Sequence, residues 1–202
     1  PALSRSLLLL GCCQLQLKKN NAASDSLKAY LSTAKLDRNE ATYRLGQAQR
    51  RAGKTREANV TLLDLFWNTE KLTDKWAIRA AFDYGYDAFA KDDAKKAAEA
   101  LEKVALADAP DELAAPTVYM LAWIDLNAEK YDKAAMRFAQ ITAKWPKHPN
   151  AKGCVYYRGF ALHKADKKTQ AAALLKQYLK DNPAGKHAAD ARALLKASTP
   201  KP

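Results

Sequence analysis

With 202 residues, 48% of them hydrophobic, the chain has enough apolar side chain to bury a sizeable core. Its net charge of +12 points to acidic partners, anionic lipid or nucleic acid rather than to basic ligands, and three cysteines are too few for a disulfide framework. No segment reaches the roughly 20 apolar residues of a membrane-spanning helix, and no run alternates for long enough to suggest a sheet.

Apolar residues recur at helical spacing from the start, predicting helices over residues 4–18 and 22–34. Within the first, Leu9-Leu10-Gly11-Cys12 has the form of a bacterial lipoprotein cleavage box. The apolar run before it, residues 7–10, is shorter than the 7–15 residues of a signal peptide. The start at Pro1, without a methionine, fits a processed form or a piece of something longer. Cys12 and Cys13 are adjacent on this helix and point to different sides. Together with Cys154 on a later helix they read as small, buried thiols. Asp37 with Glu40 three places later predicts a capping-box start for a helix running to about Arg51. The chain turns at Gly53, and a partner helix covers 55–69. Asp74 is expected to cap a helix over 75–90, with 93–107 returning.

Pro110-Asp111-Glu112 opens the next pair, as helix N-termini favour proline and acids. The stretch Thr117 to Pro146 (TVYMLAWIDLNAEKYDKAAMRFAQITAKWP) reads as two amphipathic helices joined by a turn near residues 127–130. Trp145-Pro146-Lys147-His148-Pro149 breaks the chain, a fifth pair spans 150–181, and Asn182-Pro183-Ala184-Gly185 ends it. Residues 187–197 (HAADARALLKA) form one more amphipathic helix without a partner, and 198–202 a frayed tail.

The pairs repeat one pattern. Ala122 is followed twelve residues later by Ala134, then by Phe138, Ile141 and Pro146. Gly159 leads likewise to Ala171, Leu175, Tyr178 and Pro183, and Gly85 to Ala97, Leu101, Val104 and Ala109. Gly46 leads to Ala58, Leu62 and Leu65, and Gly11 to Ala23, Leu27 and Tyr30, both without the closing proline. Small residues let the two helices of a hairpin approach closely, and the bulky residues fill the space beyond that contact. This spacing resembles the tetratricopeptide repeat family, whose period is about 34. Here the small residues are 35, 39, 37 and 37 apart, so longer helices or turns are expected.

The resemblance implies an all-α fold, a right-handed α-α superhelix of about five helical hairpins plus a C-terminal capping helix. It would form one solenoid domain over 1–202, with repeats near 4–37, 39–72, 78–111, 115–148 and 152–185 and the cap at 187–197. One hairpin cannot bury its own apolar face, so several must stack. Residues 138–195 are further similar to repeats of bacterial envelope proteins. These are the periplasmic partner of the Tol–Pal system and the lipoprotein of the outer-membrane assembly machinery. The shared features are a bulky residue and proline closing one repeat, a small-residue-rich helix start, and a closing helix like HAADARALL. That likeness implies a place in the bacterial periplasm or cell envelope; a cytoplasmic scaffold is the alternative.

No catalytic constellation is visible, which points away from an enzyme. His148, His163 and His187 have no second ligand at metal spacing, and no phosphate- or nucleotide-binding glycine string occurs. No cofactor, metal or small-molecule substrate is expected. The informative feature is a second face on the first helix of each hairpin. Phe82, Tyr86 and Phe89 share it in the third pair, Tyr119, Trp123 and Leu126 in the fourth, and Tyr156, Phe160 and His163 in the fifth. Tyr43, Gln47 and Arg50, with Arg44 beside them, hold these places in the second. In tetratricopeptide proteins first helices line the concave side, so the resemblance implies an aromatic-lined groove binding an extended peptide or partner helix with acidic groups. The opposing reading has the tyrosines packing between neighbouring first helices. Trp67, Trp76 and Trp145 read as inter-repeat packing.

From Lys144 to Lys196 twelve Lys or Arg face only Asp166, Asp181 and Asp190. That stripe supports a competing reading as a polyanion or nucleic-acid binder. The plainer account is that lysines solvate the outer faces, which points away from nucleic acid as a partner. A docking segment of a longer multidomain chain is a third reading.

Overall fold

A computed structural model describes residues 2–198, with side chains from 5 to 197. Its regular elements are all helical: α1 (Ala2–Gln16), α2 (Asn20–Thr33), α3 (Arg38–Arg51), α4 (Thr55–Phe66), α5 (Lys75–Ala90), α6 (Ala94–Ala105), α7 (Asp111–Asn127), α8 (Tyr131–Lys144), α9 (Ala151–Lys164), α10 (Lys168–Asp181) and α11 (Ala188–Ser198). The expected tail at 199–202 lies outside the described residues.

The five hairpin turns are built alike. Each places one residue in the left-handed region: Lys18 (φ 58), Gly53 (φ 79), Asp92 (φ 60), Glu129 (φ 57) and Asp166 (φ 60). Each lies seven residues after the small residue of its repeat. The next N–H then donates five residues back, from Lys19 to the Gln14 carbonyl, Lys54 to Gln49, Asp93 to Ala88, Lys130 to Asp125 and Lys167 to Leu162. This is the Schellman ending, which satisfies carbonyls left open at a helix C-terminus.

The chain forms two compact units, Pro1–Leu113 and Ala114–Pro202. In the first, each helix packs on the next, and the first helices of successive hairpins also touch, α1 on α3 and α3 on α5. In the second, α9 contacts α8, α10 and α11, and α10 also contacts α11. The first unit's cores gather Leu8, Leu27 and Tyr30 at one end and Leu62, Phe66 and Val104 at the other. The second unit's core joins Val118 and Ala122 of α7 to Phe138 and Ile141 of α8 and Cys154 of α9. Tyr156, Leu175, Tyr178 and Ala191 seat α11 as a cover over the last hairpin.

Several local expectations need correction. Asp37 does not cap α3: its φ is 50, its side chain accepts no capping hydrogen bond, and Glu40 pairs with Arg44. Asp74 does cap α5, accepting from the N–H groups of Trp76 (2.9 Å) and Ala77 (3.0 Å). In α4 Phe66 is fully buried, as Ala58 and Leu62 are, whereas Leu65 one place earlier is only partly buried. The helix ends there rather than at 69, and Trp67 is 44% exposed instead of packing between repeats. The extra length of the repeats lies in α5 (16 residues), α7 (17 residues) and the 67–74 connection. Of the thiols, Cys154 is buried, Cys12 half-buried and Cys13 exposed.

Candidate functional site

In the second unit the aromatic residues form a connected series. Tyr119 meets Trp123 edge-on at 6.2 Å, and Trp123 meets Tyr157 edge-on at 4.5 Å. Tyr157 stacks on Phe138 at 5.6 Å and contacts Tyr156 at 5.2 Å, and Tyr156 lies 6.5 Å from Phe160. The imidazole of His187, just before α11, lies flat on Tyr156, with centroids 4.5 Å apart and planes 2° apart. Its Nε2 is 3.2 Å from the Tyr157 hydroxyl. Aromatic contacts of this kind add to the area they bury and fix ring orientation.

These rings wall a cavity of about 410 Å³ between α7, the start of α8 and α9. Trp123, Tyr131, Tyr156, Tyr157 and Phe160 supply its aromatic surface. Asn127, Glu129 and Lys164 are its polar members. The Lys164 ammonium lies 5.8 Å from the Phe160 ring centre. Burial pushes the Tyr156 phenol up to about 12, with Asp190 adding to it, so the ring presents a neutral hydroxyl at physiological pH.

The expected site residues divide accordingly. Trp123, Tyr156 and Phe160 meet at this cavity, although Tyr156 is 6% exposed and also packs against Tyr178 and His187. Tyr119 stands beside them, tilted against His148 at 5.9 Å, and His163 is half-buried on α9. Tyr131 and Tyr157 were not anticipated. Tyr157 follows Tyr156 directly, and one residue turns a helix by about 100°, so the shared-face spacing passes over it.

In the first unit Phe82, Tyr86 and Phe89 lie along one face of α5, with Phe82 and Tyr86 at 6.2 Å and Tyr86 54% exposed. Tyr43 is engaged within the fold. It is 5% exposed, donates from its hydroxyl to Asp83 (3.0 Å), accepts from Gln47 (2.9 Å) and packs on Trp76 at 5.4 Å. Arg50 reaches across to Asp87 (3.1 Å) and Asp83 (4.0 Å). Arg44 lies 5.0 Å over Trp76 and pairs with Glu40 at 3.4 Å. These three residues therefore link α3 to α5 or brace the link. Burial pushes the Asp83 carboxyl up, opposed by the Tyr43 hydroxyl and Arg50. Of the twelve cations between Lys144 and Lys196 all but Arg158 are exposed, as expected of solvating residues.

Residues 154–185 match the tetratricopeptide repeat family. A tetratricopeptide repeat protein from Parabacteroides merdae superposes with a TM-score of 0.67 at 16% identity, over 98% of this chain and 74% of that one. The chain has a tetratricopeptide-repeat fold. MamA from Desulfovibrio magneticus, residue 41 to the end, gives 0.57 at 18% identity over 91% and 97% of the two chains. The nearly identical tetratricopeptide-like repeats of a Podosopora anserina kinesin light chain give 0.53 at 16% identity over 98% and 97%. No curated protein matches the sequence. At these identities the likeness concerns the fold, and the five repeats recognised from the sequence are the five hairpins of that fold.

Proposed function

We propose that the chain is a non-catalytic scaffold that binds an extended peptide or a partner helix on the aromatic face that α7 and α9 form in the second unit. The observation that carries this reading is the cavity of about 410 Å³ walled by Trp123, Tyr131, Tyr156, Tyr157 and Phe160. Large, rigid aromatic groups dominate binding energy at protein interfaces. Helices that preform the surface lower the ordering cost of association.

A pull-down from the source lysate tests it, comparing the wild type with a Trp123→Ala, Phe160→Ala variant whose helicity is checked by circular dichroism. A partner kept by the wild type and lost by the folded variant supports the reading. Equal retention by both moves the site elsewhere. In this reading the complex belongs to the bacterial cell envelope, on the likeness of residues 138–195 to envelope repeats. Fractionation of the source cells decides between that and a cytoplasmic scaffold.

A further inference from the structure

We propose that the cavity of the second unit is an anchor site for one large apolar side chain of an acidic peptide segment, with the segment's neighbouring carboxylate held by Lys164. The inference rests on the peptide-binding reading above and names the chemistry that the site selects.

The shape argument concerns the walls. Trp123 and Tyr157 are braced from behind by Phe138, with centroids 6.0 Å and 5.6 Å from it, and Tyr156 is braced by the flat imidazole of His187. Rings held in this way keep the cavity open instead of folding into it. A volume of about 410 Å³ is at the lower end of the 300–1,000 Å³ range of ligand pockets. That suits one bulky side chain and its adjoining backbone. The lining offers ring faces, Leu126 and one amide, Asn127, so an apolar group gains most by entering.

The charge argument concerns the rim. Lys164 is exposed, and among the described residues no carboxylate lies within ion-pair distance of it. The surrounding sequence, with twelve cations from Lys144 to Lys196 against three aspartates, favours an anionic ligand. Glu129 shares the rim and works against a second carboxylate, so the two rim charges should act with opposite signs on an acidic ligand. A cationic ligand would have to enter beside Lys164.

The test is a tryptophan-fluorescence titration of the full chain with three nine-residue synthetic peptides, acetylated and amidated, in a Gly/Ser background. One carries a central Leu flanked by Glu, one a central Ala flanked by Glu, and one a central Leu flanked by Lys. The first should bind about tenfold or more tightly than either of the others. Lys164→Glu should reverse the preference between Glu and Lys flanks, and Glu129→Gln should tighten binding of the Glu-flanked Leu peptide. Lys180→Glu, an exposed charge outside the cavity, should leave the order unchanged. No binding of any peptide, indifference to the flanking charge, or an equal effect of Lys164→Glu and Lys180→Glu each overturns the proposal. So does a concentration-dependent dimer lost in Trp123→Ala, which would seat a second copy in the cavity. In all of these cases the pull-down above still decides the broader reading by itself.

Discussion

A methyl group on Gly85 would lie 2.7 Å from Cγ of Leu101 and 2.8 Å from its Cδ2. The same contact recurs between Gly11 and Leu27 (2.6 Å), Gly46 and Leu62 (2.6 Å), and Gly159 and Leu175 (3.0 Å). The fourth hairpin departs from it, with Ala122 and Phe138 at the equivalent places, both fully buried. Leucine branches at Cγ and meets the facing helix with bulk, whereas a flat ring can lie against a methyl group. Gly85→Ala should therefore destabilise the chain by about 1–3 kcal/mol, the usual cost of overpacking. This should hold although alanine is about 0.5–1 kcal/mol better than glycine in a helix. Urea unfolding followed by circular dichroism measures it, and a more stable Gly85→Ala would refute the account. Adding Leu101→Ala should cost less in the Gly85→Ala background than in the wild type, because the two substitutions share one contact.

The left-handed turn residues give a change of the opposite sign. Only one of the five positions holds glycine, Gly53. Lys18 carries a Cβ at φ 58 and its side chain is exposed, so nothing is lost by removing it. Lys18→Gly should stabilise the chain by up to about 1 kcal/mol, since the left-handed conformation is strained for residues with a Cβ. Gln16→Gly, two residues earlier at the end of α1, should destabilise it. If the two variants move the urea midpoint in the same direction, the turn assignment is wrong.

Much of this architecture was legible because a repeat supplies its own control. The spacing of 35, 39, 37 and 37 between small residues is also the spacing of the left-handed turns, so one set of positions located both. Single caps were less legible. Asp37 and Asp74 look alike in sequence, yet only Asp74 has the extended backbone that lets its carboxylate accept from the first turn. The candidate site was half legible: Trp123, Tyr156 and Phe160 followed from helical spacing, whereas Tyr131 and Tyr157 come from a neighbouring helix and a neighbouring face. Tyr43 held the expected register, but Asp83 engages its hydroxyl across α5, a pairing that spacing within one helix cannot reveal.

Three buried groups make the fold sensitive to alkali. Burial pushes the Cys154 thiol up to about 12 from its ordinary 9.0. Burial first, and then Asp83, pushes Tyr43 up to about 12 from 10.0. Burial chiefly does the same for Tyr156. The unfolded chain releases these protons at the ordinary values, while the folded chain holds them until about 12. Their contribution is therefore complete below about pH 9 and is lost as the pH rises to about 12. The urea midpoint should fall through that range. Tyr43→Phe should make the fall shallower, and at neutral pH it should cost about 1 kcal/mol through the lost bond to Asp83. An unchanged slope would mean that Tyr43 already ionises in the fold at its ordinary value.

On the acid side one group that titrates with the fold is His187. Burial, assisted by Lys186 and opposed by Asp190, holds its imidazole below the ordinary 6.5. The unfolded chain therefore takes up a proton that the folded chain resists, so the contribution of His187 is full above 6.5 and declines as the pH falls below it. The groups around it are the rings of Tyr156 and Tyr157 on α9, the Tyr178 hydroxyl of α10, which accepts from the His187 N–H at 3.3 Å, and the two charges at 186 and 190. The element that answers is α11, which meets α9 and α10 immediately after this residue. Hydrogen exchange of the amides of 188–197, corrected for intrinsic rate, should show less protection at about pH 5.5 than at about pH 7.5. His187→Phe preserves a flat ring against Tyr156 and removes the titration, so its protection should be level across the same range. If the wild type is equally level, the imidazole is not excluded from protonation by the docked helix, and α11 is held by its apolar contacts alone.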